Sequence, residues 1–254
     1  MGCGKMGSAL LEHWKQGDEQ FTIVDPGLTQ PPDGVRLFQE RSALSDERFD
    51  VVIVATKPQI IGDVLPDYVA HLADGGYVLS IAAGASIDRI SGLLDGAPVI
   101  RVMPNLPAAI GQGVSGICAS PDTATDHLRH AQSMMDRTGT AIVVDGEDQL
   151  DRVTAVAGSG PGYIFEMARA YVEAAKGMGF TDEQARDLVL GTMAGTVAMA
   201  QDQSDSALED LRNSVTSKGG TTAAGLDALN GDGTMSRQFE ACLAAAYERA
   251  VELR

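Results

Sequence analysis

The sequence predicts an α/β domain built on a parallel sheet, followed by an all-helical domain. Three observations carry that prediction. Short apolar runs alternate with helix-length segments as far as about residue 147, the pattern of βαβ units. Strand signals stop after that point. The chain also opens on Gly2, Cys3, Gly4, Lys5, Met6 and Gly7, a G-x-G-x-x-G turn of the kind that joins strand to helix and approaches a pyrophosphate.

The elements follow in order. Residues 7–16 read as a helix and FTIVD (21–25) as a strand. DVVIVAT (50–56) is nearly continuous in apolar residues, as expected of a parallel strand buried on both faces. GYVLSIAAG (76–84), PVIRVMPN (98–105), VSGICAS (114–120) and GTAIVVD (139–145) continue the strands. Helices over 58–72, 86–94 and 121–137 separate them. Beyond Asp148, helical stretches cover 149–178, 181–201, 206–215, 221–229 and 234–253. Thr181 to Gln184 form a capping box, and Gly177 and Gly179 end the helix before it. Phe239, Cys242, Leu243, Ala246, Ala250 and Val251 recur at spacings of three and four and form one buried stripe. Gly191, Ala194, Gly195 and Ala198 are small enough to let helices pack closely. The domains are therefore expected at 1–147 and 148–254.

Composition bounds the function. The 254 residues carry 35 Asp+Glu against 19 Lys+Arg, a net charge of −16, so the chain lacks the basic face that nucleic acid requires. No apolar run approaches a membrane span, and no signal peptide is visible, so a cytoplasmic location is expected. Cys3, Cys118 and Cys242 are dispersed and odd in number, which suits a reducing compartment and no disulfide framework. His13, His71, His127 and His130 form no ligand set, and no metal is expected.

The glycine turn has an acidic partner at the expected distance. Asp25 closes the strand 21–25, where a carboxylate accepts from the ribose hydroxyls of NAD and repels a 2′-phosphate. Pro26 and Gly27 supply no arginine, so NADH is favoured over NADPH. The turn should follow a central strand, and Met1 alone precedes it. Neighbouring strands would then keep unpaired backbone groups, at roughly 1–3 kcal/mol for each one buried. Two expectations stand side by side: an upstream apolar segment belongs to the natural protein, or this form exists and is impaired.

Two segments of the helical domain stand out. AVAGSGPGYIFEM (155–167) places Gly158, Gly160, Pro161 and Gly162 inside a helical stretch, where each residue disfavours a helix interior, so the chain should bend there. LRNSVTSKGGTTAAGLDAL (211–229) leads a polar loop into a new helix. Ser217, Gly219, Gly220, Thr221 and Thr222 would present N–H groups and hydroxyls to a carboxylate or phosphate. A simple Ser/Thr cap beside a glycine hinge explains the same residues equally well.

The chain resembles the pyrroline-5-carboxylate reductase family. The resemblance rests on GCGKMGSAL (2–10), ATKPQ (55–59), SIAAG (80–84), RVMPNLPA (101–108), GSGPGYIF (158–165) and LRNSVTSKGGTTAAGL (211–226), which span nearly the whole chain. It implies a Rossmann-type domain and a helical domain that forms an intertwined homodimer, often assembled into larger rings. It implies reduction of 1-pyrroline-5-carboxylate to L-proline by NAD(P)H, the last step of proline biosynthesis. By the same resemblance Gly2, Gly4, Lys5, Met6 and Gly7 hold the pyrophosphate. Ala55, Thr56, Lys57 and Pro58 lie along the cofactor, and Asn105 lies near its nicotinamide end. Ser217, Gly219, Gly220 and Thr221 bind the substrate carboxylate, and the Thr222 hydroxyl meets the ring nitrogen. The chain departs from the family in lacking the first strand and in carrying Asp25-Pro26 after the second.

The residue types suit that chemistry. A protonated cyclic imine is already electrophilic, so the protein need only fix the carboxylate, orient the ring and exclude water. Lys57 is either a proton donor or a ribose contact or carbonyl cap. The alternatives are another imine reductase, a 3-hydroxyacid-type dehydrogenase, whose lysine pattern neither Lys176 nor Lys218 matches, and a cofactor-binding protein that has lost catalysis.

Overall fold

Alternating apolar residues give the sheet two buried faces. The computed structural model describes residues 1–254. Five strands lie side by side in chain order: β3 (Phe49–Val54), β4 (Leu72–Ser80), β5 (Val99–Met103), β6 (Gly113–Ala119) and β7 (Gly139–Val143). Tyr77, Leu79, Ile100, Val102 and Ile117 point to one face. There they meet Leu10 and Trp14 of α1 (Lys5–Trp14) and Met134 and Met135 of α4 (Thr125–Asp136). Val52, Val54, Val78 and Val99 point to the other face. There they meet Ile61 of α2 (Ile61–Val64) and Ile87 and Ile90 of α3 (Ile87–Gly92).

Two further strands, β1 (Thr22–Val24) and β2 (Arg36–Phe38), form a separate parallel pair. Nothing in the sequence pattern marked β2. Only Met1 and Gly2 stand between β1 and β3. The Gly2 N–H donates to the Val24 carbonyl at 2.9 Å and the Ala55 N–H to the Met1 carbonyl at 3.0 Å. The Met1 ammonium donates to the Ile53 carbonyl at 2.6 Å.

Several expectations need correction. The sheet is not wholly parallel: β6 runs antiparallel to β5. A parallel crossover needs about a dozen residues, and only a 3₁₀ turn, Leu106–Ile110, and its flanks separate these strands. The helix expected over 58–72 is instead a 3₁₀ turn at Pro58–Ile60, then α2, then a 3₁₀ helix at Leu65–His71. Pro58 and Pro66 lack the N–H an α-helix interior requires. Strand β4 begins at Leu72, before the expected Gly76, because Leu72 already pairs with Phe49 across a bulge. The helix expected over 149–178 divides into α5 (Gly146–Val153), a π turn over Thr154–Gly158 and α6 (Gly160–Gly177). Its irregularity ends on Gly158, the first of the glycines that predicted it.

The chain divides into two compact units: residues 1–161 with 245–254, and residues 162–244. In the first, Arg254 pairs with buried Asp151 at 3.0 Å. The second contains α7 (Asp182–Asp202), α8 (Leu208–Ser214), α9 (Thr221–Asn230) and most of α6 and α10 (Thr234–Leu253). Thr181 caps α7 in the full box, its hydroxyl accepting from the Gln184 N–H at 3.2 Å. The buried cluster of this unit is small: Ala175, Ala185 and Val189, with Val172 and Met193 against it. Leu188, Leu190, Val197 and Met199 of α7 are exposed, as are Gly191, Ala194, Gly195 and Ala198. Of the stripe on α10, Ala250 is buried, Phe239, Cys242, Leu243 and Ala246 are only half-buried, and Val251 is exposed, because a single chain offers that helix few neighbours.

One ion pair ties the start of β1 to α4. Arg137 grips Glu19 with two nitrogens, each at 2.6 Å, and holds that carboxyl down at about 2. A depressed carboxylate stabilises the fold above its unfolded value of about 4.5, and that contribution is lost as pH falls toward 2. Glu19→Gln is therefore expected to lower stability by roughly 1–3 kcal/mol at pH 7. It should also flatten the pH dependence of denaturant unfolding between about pH 4.5 and 2. Unchanged slopes in that window would show the pair to be inert.

Candidate active site

The glycine turn is built by contact with the strand end at Ala55-Thr56. Gly2 has φ +76°, and a Cβ there would lie 2.7 Å from Thr56 Cγ2 and 2.9 Å from the Ala55 carbonyl oxygen. Gly4 caps α1 in extended conformation and has open space around it. Gly7 is buried, and a Cβ would come within 3.3 Å of Ala55 Cβ. The three glycines thus have the three separate geometries that a pyrophosphate turn uses: tight bend, open approach and close helix–strand packing. The first helical bond runs from the Ser8 N–H to the Gly4 carbonyl, which leaves the N–H groups of Lys5, Met6 and Gly7 outside the helical ladder.

Asp25 braces this turn. One carboxylate oxygen accepts from the Cys3 N–H at 2.7 Å, the other from the Gly27 N–H at 2.8 Å. The second bond is an Asx turn, which the Asp-Pro-Gly sequence encodes locally. The first crosses from β1 to the glycine turn, and no local signal announced it. Cys3 is buried beside this carboxylate, and burial, with the Asp25 charge, pushes its thiol up. It is a space-filling thiol and not a nucleophile.

The five other residues assigned to the cofactor follow the ends of β3 and β5. Ala55 and Thr56 continue β3 and face the glycine turn. The Thr56 hydroxyl is buried and has no hydrogen-bond partner. Lys57 is exposed at the start of the 3₁₀ turn that Pro58 opens. Asn105, after β5, is buried and its amide is fully engaged. Its nitrogen donates to the Ala157 carbonyl at 3.0 Å and its oxygen accepts from the Val114 N–H at 2.9 Å. It locks the end of β5 to the π turn and to β6.

The residues present fit a dinucleotide. An orphaned buried hydroxyl, a cradle that one Cβ would fill and three free N–H groups converge at one strand end, where α/β sheets bind such ligands.

The loop before α9 lies in the second unit. Ser217, Gly219, Thr221 and Thr222 are exposed, and Gly220 is half-buried. Gly219 has φ +70°. A Cβ on Gly220 would sit 2.4 Å from Ser217 Oγ, so glycine is required for the turn that its N–H closes onto the Ser217 carbonyl at 3.0 Å. No side chain caps α9. Its first helical bond is Ala224 N–H to Gly220 carbonyl, which leaves the N–H groups of Thr221, Thr222 and Ala223 unclaimed by the helix. Three donors and two threonine hydroxyls at the positive end of a helix can receive an anion.

Comparison with known proteins points in one direction. The family model described as pyrroline-5-carboxylate reductase dimerisation matches residues 147–253. A pyrroline-5-carboxylate reductase from Haemophilus influenzae is 35% identical over 98% of this chain and 95% of its own length. The structure of a pyrroline-5-carboxylate reductase from Coxiella burnetii superposes with a TM-score of 0.89 at 31% identity, covering 99% of this chain and 96% of that one. A pyrroline carboxylate reductase from Plasmodium falciparum, solved with NADP bound, gives 0.84 at 25% identity, covering 100% and 96%.

Proposed function

The chain belongs to the pyrroline-5-carboxylate reductase family, and on that premise we infer how its own residues carry the reaction. It is an NAD(P)H-dependent oxidoreductase that reduces 1-pyrroline-5-carboxylate to L-proline. The observation that carries this is similarity over essentially the full chain, which leaves the imine-reductase, hydroxyacid-dehydrogenase and non-catalytic alternatives without support.

The reduced nicotinamide supplies a hydride to the imine carbon. The chain supplies position. The turn Gly2, Gly4, Lys5, Met6 and Gly7 holds pyrophosphate with backbone N–H groups, and Ala55, Thr56, Lys57 and Pro58 line the dinucleotide. The free Thr56 hydroxyl supports this role. Asn105, its amide engaged, shapes the nicotinamide end without needing to touch it. Ser217, Gly219, Gly220 and Thr221 receive the substrate carboxylate. The Thr222 hydroxyl hydrogen-bonds the ring nitrogen, favouring the protonated imine as it becomes an amine. Coupled assay of reduced-cofactor consumption with pyrroline-5-carboxylate tests the activity. Turnover is expected with this substrate, and a folded chain inert toward it would remove the reading.

NADH is the favoured cofactor in our reading. Asp25 presents a carboxylate at the ribose position, and both of its oxygens keep a lone pair after bracing the turn. Asp25→Ala should raise KM for NADH about tenfold or more and narrow the gap to NADPH. An unaltered ratio of kcat/KM for the two cofactors would defeat this assignment.

The chain forms a homo-oligomer. We propose that its helical domain, taken as residues 148–254 after the 1–147 dinucleotide domain, pairs two copies and permits a ring of dimers. The exposed apolar face of α7 supports that pairing. No helix is long and apolar enough to cross a membrane, and a cytoplasmic location is proposed.

A further inference from the structure

One carboxylate outside the assigned site reaches two of the strand ends that border it. The ends of β3, β4 and β5 lie side by side. Asp25 lies on the other side of the glycine turn, after β1. A dinucleotide with its pyrophosphate on the turn and a ribose at Asp25 therefore extends its nicotinamide half toward the ends of β3, β4 and β5. The end of β4 is the loop 81–86. Its Ile81 N–H donates to the Val54 carbonyl at 3.0 Å, so the loop leaves the sheet beside Ala55 and Thr56. Ala82 and Ala85 are buried and Ala83 is exposed.

This loop is pinned from behind. Gly84 has φ +74°, and a Cβ on it would run into the Leu253 carbonyl oxygen of α10. The loop ends on Ser86, which caps α3. The first helical bond of α3 runs from the Ile90 N–H to the Ser86 carbonyl, which leaves the Ile87 N–H outside the ladder. Glu147 Oε1 accepts from that N–H at 2.9 Å.

The same oxygen accepts from Arg101 Nη1. Arg101 lies opposite Ser80, the last residue of β4, and two residues before Met103, the last of β5. It is 5% exposed, and a guanidinium so buried requires a countercharge, which Glu147 supplies. Glu147 has a rigid mount. It stands in the first turn of α5, and Leu150, three residues on, is buried. The helix lies so close to β6 that a Cβ on Gly116 would sit 2.8 Å from Val153 Cγ1 and 2.9 Å from Leu150 Cδ1. A carboxylate held in this way fixes the groups that bond to it.

We propose that Glu147 is a positioning residue for hydride transfer: through Ile87 and Arg101 it sets the loop 81–86 and the end of β5 as the wall against which the nicotinamide half of the dinucleotide rests. The proposal rests on the cofactor placement given above. Glu147 bonds to none of the residues assigned to cofactor or substrate, so it acts through the wall alone. The glycine turn and Asp25 hold the other half of the dinucleotide without it. Its loss therefore separates the two halves: transfer suffers and the adenosine end stays bound.

Glu147→Ala alone strands the Arg101 charge, a strongly destabilising change. The test therefore uses two other variants of the whole protein. Arg101→Met with Glu147→Leu removes both charges at similar volume. Glu147→Asp keeps the countercharge and shortens the reach to Ile87 by one methylene. At saturating NADH, kcat/KM for pyrroline-5-carboxylate is expected to fall about tenfold or more in the double variant and about fivefold in Glu147→Asp. The Kd of ADP-ribose, which has no nicotinamide, should stay within about twofold of the parent's. Hydrogen exchange gives a readout without turnover. In the parent, NADH should slow exchange at 81–87 and ADP-ribose should not, and in both variants NADH should lose that effect. A kcat/KM within about twofold of the parent's in either variant overturns the proposal. So does an equal loss of NADH and ADP-ribose affinity, which would make Glu147 a support of the fold alone. A parent inert toward pyrroline-5-carboxylate would remove the functional reading instead. The exchange pattern then decides, and NADH protection of 81–87 as strong in the variants as in the parent overturns the proposal.

Discussion

Replacing Gly2 by alanine is expected to unfold the nucleotide end of the molecule at a lower temperature and abolish tight cofactor binding. The new Cβ would press on Thr56 Cγ2 at 2.7 Å and on the Ala55 carbonyl oxygen at 2.9 Å, and neither is the end of a flexible side chain. The backbone at φ +76° adds about 1–2 kcal/mol of its own. Overpacking contributes another 1–3 kcal/mol. The sum is about 3 kcal/mol, or a fall in Tm of roughly 6–12 °C for a chain of this size. Because Gly2 also carries the bond to Val24, the turn must shift away from Ala55, and the free N–H groups of Lys5, Met6 and Gly7 shift with it. A fluorescence titration with NADH and NADPH is expected to show at least a tenfold loss for both. Unchanged affinity in a destabilised protein would separate the turn from the cofactor. Gly4→Ala is the comparison, since a Cβ there meets nothing within 4 Å.

Thr222→Ala is expected to do the opposite: leave the fold intact and remove turnover. Thr222 is exposed in the first turn of α9 and caps nothing, so Tm should stay within about 1–2 °C. If its hydroxyl meets the ring nitrogen, kcat/KM for pyrroline-5-carboxylate should fall about a hundredfold, the scale at which one positioned donor contributes in a transition state. NADH affinity should change by less than about twofold. Thr222→Ser keeps the hydroxyl and should recover most of the lost rate. Unchanged turnover in the alanine variant would remove Thr222 from the site.

Much of this was legible in the chain before any coordinates. The continuous apolar runs at 50–56 and 76–84 could be strands buried on two faces and little else. The capping box at Thr181 fixed a helix start to the residue. Local rules failed where the deciding partner was remote. Strand β6 runs antiparallel because the connection from β5 is too short for a crossover, a fact about distance that periodicity does not contain. Strand β2 is three residues long and shows only as the partner of β1. For the site, the glycine spacing and Asp25 could be read directly, because both are local and stereotyped. The bond from Cys3 to Asp25 and the engagement of Asn105 by Ala157 and Val114 could not. Each spans far-separated segments and exists only once the sheet is assembled.

The strand order carries a consequence for how the protein is made. From β3 to β7 every strand lies beside the one that precedes it in the chain. Each addition closes only a short loop, so the ordering entropy of each step is small and folding can proceed vectorially as the chain leaves the ribosome. The N-terminal turn is the exception. The bonds from Met1 to Ile53 and Ala55 wait for some fifty further residues to emerge. The glycine turn that the sequence announces first is thus completed only after its scaffold has been laid down, and a pause in translation before β3 would leave it without a wall to fold against.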